Sequence, residues 1–121
     1  MRRAKYGNKK CQYMGIVFDS KHEMERYREL YLLERAGEIS DLQTQVPYLL
    51  IPPQFDDAVA DHDKKKKPKL LERKCEYIAD FVYRDSEGRL VVEDAKGTKT
   101  KEYIIKRKLM LHVHKIRVVE V

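Results

Sequence analysis

The sequence predicts a single α/β domain of 121 residues in which helices flank a small mixed sheet. Three observations predict it. An amphipathic helix with start and stop signals stands early in the chain, two β-rich runs are joined by a tight turn, and a basic helical stretch near the C-terminus leads into a valine-rich tail. Their order reads helix, strand, strand, strand, helix, strand.

Residues 1–15 are basic, polar and aperiodic, so they are expected to form a flexible arm, and residues 16–121 the domain. In "FDSKHEMERYRELYLLERAGEI", Ser20 with Glu23 three residues later is a capping-box start, and Gly37 is a stop. Met24, Tyr27, Leu30 and Tyr31 recur between them at helical spacing, which predicts a helix over 21–36 with one packed face. "LQTQVPYLLIP" has the β-branched and aromatic content of a strand over 43–51, ended by Pro52 and Pro53.

A charged, turn-rich loop is expected at about 54–69, holding the acidic "DDAVADHD" and the basic "KKKKPK". The acidic part lacks the glycine and terminal glutamate of a calcium loop and reads as solvated charge. "LLERKCEYIADFVY" then predicts a long strand, "RDSEGR" a turn and "LVVEDAK" another strand. Tyr103, Ile104, Met110 and Leu111 predict a helix over 100–112, with Ile104 and Leu111 in the core, and "HKIRVVEV" a closing strand.

Lys and Arg number 26 against 20 Asp and Glu, a formal charge of +6, so an anionic partner is expected, nucleic acid first among them. No apolar run approaches the ~20 residues of a membrane span, and "MRRAKYGNKK" lacks the apolar core of a signal peptide. The expectation is a cytoplasmic protein with no membrane role, whose Cys11 and Cys75 stay reduced and form no zinc motif. His112 and His114 fit neither one helix face nor a zinc pattern and read as surface histidines.

The turn predicts a register. If Ser86, Glu87 and Gly88 form a three-residue loop closed by Asp85 and Arg89, paired residue numbers add to 174. Asp80 then lies opposite Asp94, on one sheet face with Lys96, while Glu93 points to the other face. Like charges directly opposed destabilise a sheet, and a cation between them turns that penalty into a binding site. Oxygen ligands suit a hard ion such as Mg2+ or Mn2+, whose natural use with water is phosphodiester hydrolysis, and Lys96 is suited to orient the water or stabilise the transition state. The plainer alternative is that Asp80 and Asp94 cap a sheet end and Lys96 is their solvated partner.

These residues resemble the PD-(D/E)XK nuclease superfamily, in which an acidic residue near the end of one strand is followed on the next by an acidic residue, any residue, and lysine. Asp80 and then Asp94-Ala95-Lys96 match, although Ala79 stands where the pattern has proline. From "FDSKHEMERY" through "YIADFVYRDSEGRLVVEDAKGTKT" to "KRKLM" the chain is similar to small bacteriophage-encoded members related to Holliday-junction-resolving endonucleases. The resemblance implies a restriction-endonuclease-like core and a divalent metal bound by Asp80, Asp94 and the carbonyl of Ala95. Glu23 on the first helix is the further catalytic and metal residue it implies, beside the plainer reading of Glu23 as a helix cap.

Function follows as an expectation: a Mg2+- or Mn2+-dependent DNA endonuclease acting on branched DNA such as four-way junctions, as a homodimer because two matched cuts are needed. The alternative is a DNA-binding accessory protein that keeps the scaffold without cutting. Expected DNA contacts are Lys99, Lys101, Tyr103 and Lys106 after the catalytic strand, and Lys65 and Lys66 in the basic run.

Overall fold

The computed structural model describes residues 10–56, 67–95 and 99–121. Its main sheet has four strands in the order β3 (Ser40–Ile51), β6 (Cys75–Arg84), β7 (Leu90–Asp94) and β8 (Val119–Glu120). The first three pair antiparallel and β8 lies parallel to β7, so the sheet is mixed. With α1 (Lys21–Arg35) before β3 and α2 (Lys101–Leu109) between β7 and β8, the expected order of helices and main-sheet strands is observed.

The ends of α1 follow from local chemistry. Ser20 is extended and its Oγ accepts from the Glu23 N–H at 3.1 Å, a cap that contributes about 1 kcal/mol. Leu30, fully buried, anchors the packed face with Met24 and Tyr27 against Phe18, Phe81 and Tyr83, and such burial contributes about 2 kcal/mol. The other sheet face carries Tyr77, Ala79, Val82 and Val92 under Tyr103 and Met110 of the C-terminal helical segment. The domain is therefore three-layered, with one apolar cluster on each side of the sheet.

Four elements differ from the sequence reading. The arm does not extend to residue 15, because Cys11–Tyr13 (β1) and Ile16–Phe18 (β2) form a hairpin. Its two-residue turn needs positive φ at both positions, which Met14 (53°) and Gly15 (80°) supply, and the ring of Tyr13 packs on Tyr27. Residues 1–9 lie outside the described residues. At the charged insertion, Gln54–Asp56 (β4) pairs with Lys69–Glu72 (β5) as a two-stranded ribbon, and residues 57–66, including Lys65 and Lys66, lie outside the description.

The strand expected to run unbroken from Leu70 is thus divided at Arg73 and Lys74: Leu70 and Leu71 are exposed on the ribbon, and burial begins with β6. The second helix is α-helical only to Leu109 and ends in a wider π-turn over Met110–His114, closed by Lys115 at φ 59°. That turn keeps Met110 in the core and leaves Leu111, expected to be buried, exposed. No helix among the described residues is long and apolar enough to cross a membrane.

Candidate active site

The site begins with the turn between β6 and β7. Asp85 N–H donates to the Arg89 carbonyl and Gly88 N–H to the Asp85 carbonyl, both at 2.9 Å, while Gly88 takes φ 78° where glycine is least strained. The Asp85 carboxylate accepts from the Arg89 and Glu87 N–H groups at 2.9 Å. Those bonds, the one from Arg89 foremost, hold its pKa below the ordinary carboxylate value. The pairs Phe81↔Glu93, Val82↔Val92, Tyr83↔Val91 and Arg84↔Leu90 follow, each adding to 174 as expected. Asp80 and Asp94 come next, one step past the last pair.

At that step the sheet's alternation breaks. In β6, Tyr77 and Ala79 belong to the cluster under α2, whereas Phe81 and Tyr83 belong to the cluster under α1. Odd-numbered residues on the two sides of Asp80 thus point to opposite faces. In β3, Leu42 packs toward α1 while Val46 and Leu50 pack toward α2, so the same crossover occurs there too. The residue between is Gln45, with φ 54°, flanked by the pairs Thr44↔Phe81 and Val46↔Ala79. The crossover places Gln45 beside Asp80 at the point where both strands change face.

A chain of hydrogen bonds results. Gln45 Nε2 donates to Glu23 Oε1 at 3.2 Å and to Asp80 Oδ1 at 3.3 Å. Asp80 Oδ2 accepts from the Ala95 N–H at 2.8 Å, and Asp94 Oδ2 from the Tyr77 hydroxyl at 2.7 Å. Glu23, Asp80 and Asp94 are all buried. Burial, then the bond to Asp94, raises the Tyr77 pKa far above that of a free phenol, so Tyr77 remains a donor at any physiological pH. Two expected residues, Glu23 and Asp80, are therefore linked through Gln45, and Asp80 reaches the Ala95 N–H at the C-terminal end of β7, while the Asp94 carboxylate is held by Tyr77.

Glu93 points to the α1 face as the register implies. It is 1% exposed and ion-paired to Arg26. Lys96 lies outside the described residues, as do Lys65 and Lys66. Lys101 is exposed at the start of α2, Lys99 Nζ stands 3.5 Å from Glu120, and Lys106 Nζ stands 3.1 Å from Glu102. Tyr103 corrects the expectation for it. Its ring is buried against Tyr77 in the core, because the inward face of α2 passes through residues 103 and 110, so it is not a surface contact for DNA. His114 Nε2–H donates to the Leu49 carbonyl (2.6 Å) and its ring packs on Tyr48, a structural setting.

Sequence reasoning missed Gln45 and Tyr77. Tyr77 had a local signal, since it lies on the strand of Asp80; Gln45 had none, because its partners stand 22 and 35 positions away. The donors fit a hard cation in kind: two carboxylate oxygens from different elements converge on one nitrogen. They are not closed around an ion, since Mg2+ takes oxygens at about 2.0–2.1 Å and these would have to draw in by about 1 Å. Among the described residues no three His, Cys, Asp or Glu side chains form a ready-made metal group.

Comparison with curated proteins and with solved structures gives no match. A family model described as "Protein of unknown function (DUF1064)" matches residues 3–120. That span covers nearly the whole chain, and the protein belongs to the DUF1064 family.

Proposed function

We propose that this protein is a metal-dependent endonuclease that hydrolyses phosphodiester bonds in DNA, with the core and the site of the PD-(D/E)XK superfamily. One observation carries the reading: Glu23 of α1 and Asp80 of β6 share a single donor, while Asp80 is tied to Ala95 directly after Asp94. Gln45 thus joins Glu23 to Asp80, and Asp80 reaches the backbone at the C-terminal end of β7, next to Asp94, whose carboxylate is held by Tyr77. Glu23, Asp80, Asp94 and the carbonyl of Ala95 are the groups that would hold the cation. A bound Mg2+ or Mn2+ supplies positive charge against the phosphate oxygens and makes water a better nucleophile.

The chain's own residues do the rest. Tyr77 O–H and Ala95 N–H fix the orientation of the Asp94 and Asp80 carboxylates. Lys96, assigned from the sequence motif, stabilises charge on the attacked phosphate or orients the water. Lys99, Lys101 and Lys106, just beyond β7, neutralise the phosphate backbone. The substrate is branched DNA, and a two-fold dimer presents the two sites that paired cuts require.

Incubation of the purified chain with labelled four-way junction, flap and linear duplex, in Mg2+, Mn2+ or chelator, tests the proposal. Metal-dependent cutting of the branched substrates is expected, lost in Asp94→Asn and Lys96→Ala while DNA binding remains. Cutting by either variant at the wild-type rate would remove the catalytic assignment. A second reading, a DNA-binding protein that does not cut, is favoured by the protein donors that already engage Glu23, Asp80 and Asp94. Salt-sensitive binding with no cleavage under any metal selects it.

A further inference from the structure

We propose that Gln45 is the positioning residue of the cation site: its amide nitrogen stands between Glu23 and Asp80 when no cation is bound, and its carbonyl oxygen turns inward when one is. The inference rests on the reading of these carboxylates as a cation site.

The backbone argues first. Four non-glycine residues among those described have positive φ: Met14, Asp41, Gln45 and Lys115. Met14 is in a hairpin turn, Asp41 is at a register shift of β3, and Lys115 closes a helix. Gln45 alone among these four sits between paired residues on both sides with no shift of register, since Thr44↔Phe81 and Val46↔Ala79 add to the same number. Glutamine has no intrinsic taste for the left-handed region, and such strain persists where the surroundings hold it in place. Here it turns the side chain of Gln45 toward two carboxylates.

The side chain argues next. One neutral N–H2 group serves both Glu23 and Asp80, at 3.2 and 3.3 Å. A half-turn about the terminal torsion exchanges the amide nitrogen for the amide oxygen without moving the backbone. Facing two carboxylates, the oxygen is repelled unless a cation lies between, and with a cation it becomes another oxygen donor. The direction of the amide is thereby coupled to occupancy. A cavity of about 240 Å³ bounded in part by Asp19, Glu23, Thr44 and Gln45 leaves room beside it.

The test is Mn2+ titration of the full chain by calorimetry, together with its thermal midpoint in chelator and in Mn2+. Gln45→Glu, Gln45→Lys and Gln45→Leu all keep the cost of a non-glycine residue at this φ, so differences among them report the side chain. Gln45→Glu should bind Mn2+ about 10-fold more tightly, and melt lower in chelator. Gln45→Lys should melt higher in chelator, its ammonium filling the place of the ion, and lose Mn2+ binding. Gln45→Leu should bind Mn2+ roughly 10- to 100-fold more weakly. Wild-type Mn2+ affinity in all three overturns the proposal, whatever their midpoints, because a mere strut would change stability alone. If these variants do not fold cooperatively, Gln45→Asn, whose short amide tolerates positive φ but does not span both carboxylates, should weaken Mn2+ about 10-fold, and unchanged affinity overturns the proposal equally. A wild-type chain that binds no Mn2+ removes the cation reading itself and this inference with it, a failure told apart by the wild-type titration alone.

Discussion

Arg26 on α1 and Glu93 on β7 form a two-pronged ion pair, Nε to Oε1 at 2.8 Å and Nη2 to Oε2 at 2.6 Å, at the junction of helix and sheet. The residue next to the proposed ligand Asp94 is in this way a fastener of the α1 layer. Glu93 is buried, and the Tyr83 hydroxyl also donates to its Oε2. The bond to Glu93 raises the Arg26 pKa further above its already high value, so the guanidinium stays charged.

Removing one member of such a pair leaves the other buried and uncompensated. Arg26→Ala should cost about 3 kcal/mol of folding stability. Denaturant unfolding measures it, and a loss under about 1 kcal/mol would show that the pair is weak or replaced by water.

Tyr83 makes stability fall at alkaline pH. Burial first, then the bond and charge of Glu93, push its phenol up to about 12 from the ordinary value near 10. A pKa raised by folding gives stability that is present in full below the unfolded value and is lost as pH rises through the folded one, here between about pH 10 and pH 12. Tyr83→Phe should cost about 1 kcal/mol at neutral pH and lose less stability than wild type across that window. Unfolding curves at stepped pH decide it; parallel losses in the two proteins would place the effect on other tyrosines.

Tyr77 tests whether orientation of Asp94 matters. Tyr77→Phe deletes the donor to Asp94 Oδ2 and keeps the ring that packs near Tyr103. Mn2+ affinity should fall roughly 10- to 100-fold, with cleavage following it and recovering at high Mn2+. An unchanged affinity would reduce the bond to a packing detail.

Gly88 tests the turn that sets the register. A methyl group there meets nothing within 4 Å, so Gly88→Ala adds backbone strain and no clash. At φ 78° the expected cost is about 1 kcal/mol, read as a lower unfolding midpoint, with cleavage unchanged at temperatures where the chain is folded. Lost cleavage in a fully folded variant would mean that the pairing had slipped.

Which features could be read in advance depends on how far apart their causes lie in the chain. The start of α1 is set by Ser20 and Glu23 within one turn, and the β6–β7 register by hydrogen bonds among Asp85, Glu87, Gly88 and Arg89. Both were open to inspection because every participant is a near neighbour. The hairpin at Met14 and Gly15 was equally local and was missed because short strands of three residues carry little periodicity. The buried position of Tyr103 was hidden among lysines whose charge suggested an exposed surface.

By itself the sequence determined the order of helices and main-sheet strands, and the turn whose register runs from Arg84↔Leu90 to Phe81↔Glu93. Tertiary structure alone decided that β3 and β6 change face together at Gln45 and Asp80, and that one amide would join Asp80 to Glu23. The reason is physical. Turn and cap chemistry is satisfied within a few residues, whereas a left-handed residue inside a strand is tolerated only because packing on both faces of the sheet holds it there.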